Sequence, residues 1–100
     1  MIIYNVTVSL DPAIHDDWLQ WMKEVHIPDV MNTGFFSSNR ICRLLVDDEV
    51  TYAIQYTCES QEKLNEYQNN HAPRLQEEHT NRYKGKFGAF RTLLEIIHEQ

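Results

Sequence analysis

From Ile2 to Leu10 the chain alternates, with Ile2, Tyr4, Val6, Val8 and Leu10 set against Ile3, Asn5, Thr7 and Ser9, the period-two pattern of a strand rich in β-branched and aromatic residues. Asp11 then stands as an N-cap with Pro12 at the first helical position, and Ile14, Trp18, Trp21, Met22 and Val25 follow at helical spacing on one stripe. Pro28 disfavours helical geometry at Ile27, so the spacing predicts a stop there, with one more turn before Gly34. Two extended segments, 35–46 and 50–58, flank the acidic tip Asp47, Asp48 and Glu49 and read as an antiparallel hairpin. Ser60 caps a second helix with Leu64 and Tyr67 on its inner stripe, and Pro73 predicts a break near 69–72. Helix resumes at Pro73 with Leu75, His79, Arg82 and Tyr83, and a last strand runs from Phe87 to about Ile97.

The order β-α-β-β-α-β is the split βαβ of the ferredoxin-like fold, an α+β architecture with a four-stranded antiparallel sheet and two helices on one face. On the first and third strands one set of side chains, Ile3, Asn5, Thr7 and Ser9 with Thr51, Ala53, Gln55 and Thr57, carries no charge, although a face left in water normally carries some Lys or Glu. The complementary set, Ile2, Tyr4, Val6 and Val8 with Val50, Tyr52, Ile54 and Tyr56, is strongly apolar. Both faces therefore read as covered, which implies a homodimer packed sheet on sheet. The pattern leaves open which set faces the helices, because a one-residue change of phase exchanges them.

A chain of 100 residues makes one domain, 1–100, with a single core. The net charge of −6 works against attraction to nucleic acid or anionic lipid, and no apolar run approaches the length of a membrane span. The expected partners are a second copy and a small organic ligand, with neither nucleic acid nor membrane. No basic region precedes the short apolar start, and Cys42 and Cys58 fall too far apart on the hairpin for a disulfide, so both read as free, buried thiols in the cytoplasm. The five His show no i, i+4 pair and neither Cys has a near Cys or His, so the spacing predicts no metal site, and nothing calls for a cofactor. Gly-rich phosphate loops and Gly-flanked nucleophilic serines are absent from the sequence.

The layout resembles the dimeric α+β barrel superfamily, in which two ferredoxin-like subunits press their sheets together. More closely, MIIYNVTVSLDP at the start, HIPDVMNTGFF, the YAIQY strand and the ending FRTLLEII resemble domain of unknown function family 4286 over nearly the whole chain. The resemblance implies the fold and homodimerisation, and it brings no reaction. The superfamily also includes cofactor-independent monooxygenases and haem-degrading enzymes, the latter similar in placing an Asn on the first strand and an aromatic and a His on the second helix. That resemblance points to Asn5, Tyr67 and His79, with Tyr67 standing where those enzymes have Trp and with the Pro73 break altering the geometry between Tyr67 and His79.

Three readings follow. In the first the protein binds a small apolar or aromatic molecule between helices and sheet, with Trp18, Trp21, Tyr56 and Tyr67 as walls and Gln55 and His71 as polar contacts. In the second it is an enzyme of the monooxygenase or haem-degrading type, with Asn5, His79 and His26 acting chemically. In the third it is a structural dimer that binds a protein partner, with filled cores and an exposed apolar patch. Each residue also has a plainer reading: Trp18, Trp21 and Tyr67 as core, His26 as a C-terminal cap, His71 as a turn residue, Gln55 and Asn5 as a wet dimer interface, and Arg82, Lys84 and Lys86 as a solvated loop.

Overall fold

The computed structural model describes all 100 residues. Strands β1 (Ile2–Leu10), β2 (Ser38–Arg43), β3 (Val50–Cys58) and β4 (Phe87–Glu95) form one antiparallel sheet in the order β2-β3-β1-β4. That order is the ferredoxin-like topology, and it sets the longest alternating strands, β1 and β3, at the centre.

The phase is now settled. Tyr4, Val8 and Leu10 of β1 and Tyr52, Ile54, Tyr56 and Cys58 of β3 are buried in one core with Trp18, Leu64 and Leu75 from the helices. Burying a side chain such as Leu64 or Leu75 contributes roughly 1.5–3 kcal/mol. The set containing Asn5, Thr7, Gln55 and Thr57 looks away from the helices. On that outer face Ser9 bonds Thr51 at 3.0 Å, the Arg40 Nε donates to Gln55 at 2.7 Å, and the Asn5 amide donates to Thr7 at 3.1 Å. Phe90 and Leu94 of β4 share this face, 62% and 41% exposed.

Pro28 does not stop the first helical segment. A 3-10 turn (Pro12–Ile14), capped by the Asp11 side chain, leads into α1 (His15–Trp21), a π turn (Met22–His26) and then α2 (Ile27–Asn32). In the π turn the Ile27 N–H reaches back five residues to the Met22 carbonyl, so the ladder has already changed register where Pro28 arrives. Pro28 then occupies the first turn of α2, where a missing N–H costs little. Gly34, at φ 84°, closes the arm in a left-handed conformation that other residues rarely adopt.

Helices α3 (Gln61–Asn70) and α4 (Ala72–Arg82) meet at His71, inside the expected break, with α4 starting one residue before Pro73. Ser60 caps α3 by accepting from the Lys63 N–H. Two strands are shorter than the pattern predicted. β2 begins only at Ser38, because Phe36 turns into the core against Tyr67, with ring centroids 4.7 Å apart. β4 ends at Glu95, because its partner β1 runs out at Ile2. The cysteines are free, but Cys42 is exposed, since it lies on the outer side of an edge strand, and only Cys58 is buried.

Candidate functional site

The π turn has a consequence for chemistry. It turns Met22 and His26 together toward the sheet, and with Val30 they close one side of a cavity. Leu75, Gln76, His79 and Thr80 of α4 close the other, Tyr4, Val6, Val8, Ile54 and Tyr56 form the floor, and Phe87, Ala89 and Arg91 of β4 complete the rim with Tyr67 of α3 behind. The cavity gives the centres of water-sized molecules about 50 Å³. A single water needs roughly 10–15 Å³ on that measure, so the space suits a small group and not a macrocycle.

His79 has a defined tautomer. The Trp18 indole Nε1–H, which can only donate, lies 2.9 Å from His79 Nε2, so that nitrogen accepts and the neutral ring carries its proton on Nδ1. Trp18 is fully buried and Trp21 half-buried. Neither lines the cavity; Trp21 instead packs against His26 and His79, with centroids 5.1 and 5.8 Å away. The imidazoles of His26 and His79 face each other edge to face at 5.7 Å. Burial lowers both to a pKa of about 4. Arg91 adds to the depression in each, His26 adds to that of His79, and Asp29 partly opposes it at His26. Both rings are therefore neutral at pH 7, and the Nδ1 of His26 is buried without a partner. Burial and neighbouring tyrosines push the Tyr56 and Tyr67 hydroxyls well above the usual phenol range, so both remain protonated.

Of the residues picked out by pattern, His26, His79, Tyr56 and Tyr67 meet at this cavity. Asn5 does not. It sits on the outer face between Gln55 and Thr92, and so the Asn5, Tyr67 and His79 constellation is not assembled within the chain. The strand pleat is the reason: Tyr4 and Val6 point in, and Asn5 between them must point out. Gln55 lies in a polar recess of the outer face with Arg40. His71 stacks on Tyr67 and lies tilted against Phe35 at the joint of α3 and α4, away from the cavity lining. Of the basic cluster before β4, Arg82 lies over Trp21 and pairs with Asp17 at 3.5 Å. No three His, Cys, Asp or Glu side chains gather closely enough to hold a metal ion.

Sequence reading missed Gln76, Thr80 and Arg91. The first two flank His79 on α4 and show no pattern of their own. Arg91 carried a usable signal, as the charged member of the otherwise apolar or small series Phe87, Ala89, Leu93, but only once the phase of β4 was known.

The family described as Domain of unknown function (DUF4286) matches residues 1–97. The fold is similar to that of a dimeric ferredoxin-like protein from an uncultured marine organism, at 10% identity and a TM-score of 0.76, covering 100% of this chain and 98% of that one. It is also similar to the haem-degrader MhuD of Mycobacterium tuberculosis, solved with two haems bound in its active site, at 16% identity and a TM-score of 0.74, covering 100% and 99%. A third likeness is to an ethyl tert-butyl ether (EthD) family protein of Bacillus halodurans, at 9% identity and a TM-score of 0.70, covering 97% and 100%. No curated protein matches the chain in sequence.

Proposed function

We propose, for a chain that belongs to the DUF4286 family and inherits from it a fold without a reaction, that the protein is a homodimer holding a small, largely apolar molecule between its helices and its sheet. The observation that carries this is the cavity itself: a cleft, open along its β4 side, with mostly apolar walls on which a few polar groups, His26, His79, Gln76, Thr80 and Arg91, converge.

The dimer reading rests on the outer face. Ile3, Ala53, Phe90 and Leu94 lie there among the neutral Asn5, Thr7, Thr92, Gln55 and Thr57, with Arg40 as the charge on the adjoining edge. A second copy of the same sheet would cover Phe90 and give hydrogen-bond partners to groups such as the Asn5 Oδ1, which is buried and unpaired in the single chain. The similar structure described as a dimeric ferredoxin-like protein supports dimerisation. Haem degradation has less support here, because Asn5 faces away from His79 and the cavity is far smaller than a macrocycle. The two free thiols accord with a reducing compartment such as the cytoplasm, and no helix is long and apolar enough to cross a membrane.

Native mass spectrometry of gently purified protein tests both parts. The expected spectrum is a dimer carrying extra small-molecule mass, and the extra mass disappears in Ala89→Phe, which fills the cavity from its β4 side. A monomer overturns the dimer, and a ligand retained unchanged by Ala89→Phe overturns the cavity as its site.

A further inference from the structure

Arg91 is the only formally charged residue on the cavity lining, where the other polar groups are neutral and no Asp or Glu is present. The chain has 15 Asp and Glu against nine Lys and Arg, so a cation has many available partners, yet Arg91 forms no ion pair. Its one hydrogen bond runs from Nε to the Tyr4 hydroxyl at 3.1 Å. That bond holds the guanidinium against the cavity floor and leaves the two terminal nitrogens to meet a planar anion side by side. Across the cavity the His79 Nδ1–H is a further donor, fixed by the bond from Trp18 to Nε2.

We infer that the cavity takes a small organic carboxylate, its branched or planar apolar body inside and its anionic head on Arg91. This rests on the ligand-binding reading above and assigns the ligand's class. A cationic ligand would meet the guanidinium with like charge and no carboxylate to offset it. A neutral apolar ligand would gain nothing from the two free guanidinium nitrogens at the rim. A carboxylate satisfies both ends, with two charge-assisted bonds at the rim and apolar contact below. The cavity's size limits the body to something like an isobutyl group.

The test compares isovalerate with its neutral isostere isovaleramide at pH 7, titrated into the native protein and followed by the amide NMR signals of Ala89, Arg91 and Thr80. The expected result is that isovalerate binds about tenfold or more tighter, the usual worth of charge-assisted hydrogen bonding, and that Arg91→Gln removes the difference. Arg91 is exposed and Gln keeps an amide donor on the side of the buried Tyr4 hydroxyl, so the variant should fold, with an unchanged circular dichroism spectrum as the check. Equal binding of acid and amide overturns the carboxylate assignment while the cavity reading stands, and a preference for acid that survives Arg91→Gln removes Arg91 from the role. If neither compound moves the cavity signals, both readings fall.

Discussion

Acidification from pH 7 to 5 acts on the two buried imidazoles of the site. His26 and His79 titrate near 6.5 in the unfolded chain and near 4 when folded, chiefly because burial penalises the charged ring. Between these values the unfolded chain binds more protons, so stability is fully present above about pH 6.5 and falls as the pH drops toward 4. A tenfold difference in proton affinity between the two states is worth about 1.4 kcal/mol, so each ring loses about 2 kcal/mol between pH 7 and 5, and the pair about 4. That is a large part of the roughly 5–15 kcal/mol that holds a domain together. Glu59, held below the usual carboxylate range by its bond to Lys63, is fully exposed, and its titration lies lower in pH. Urea denaturation followed by tryptophan fluorescence at pH 7, 6 and 5 should show the midpoint falling steeply with an unchanged slope, and His26→Leu should remove about half of the fall. A stability at pH 5 within about 1 kcal/mol of the pH 7 value would refute the claim that both rings are buried neutral.

Two further expectations concern the support of the site and the outer face. Trp18→Phe deletes the donor to His79 Nε2 and leaves that buried acceptor unpaired, at a cost of about 1–3 kcal/mol by chemical denaturation; nitrogen-15 NMR of the imidazole should show His79 losing its single Nδ1–H tautomer, and an unchanged tautomer would mean that something else fixes the ring. Phe90→Glu places a charge on the outer sheet face and should convert the proposed dimer to a monomer by light scattering with an unchanged circular dichroism spectrum, whereas a dimer that persists would place the interface elsewhere.

The alternation of β1 and β3, the helical stripe through Trp18 and Met22, the caps at Asp11 and Ser60 and the break before Pro73 were all legible along the chain, because each depends on neighbours a few residues away. They determine the ferredoxin-like order of elements, and the uncharged side of β1 and β3 already marks a face unsuited to water. The tertiary structure decided what depends on phase and register between distant segments. Pleating sends Asn5 out and Tyr4 in, which separates Asn5 from His79, and no property of Asn5 itself reveals that. A π turn, with Met22 buried in the core and Pro28 just beyond it, brings His26 within 5.7 Å of a ring more than fifty residues away. Arg91 reads as an ordinary surface charge until the pairing of β4 with β1 turns it over the cavity. Local periodicity specifies which face of each element is apolar, whereas a site is a coincidence of several faces in space, set only when the core has packed.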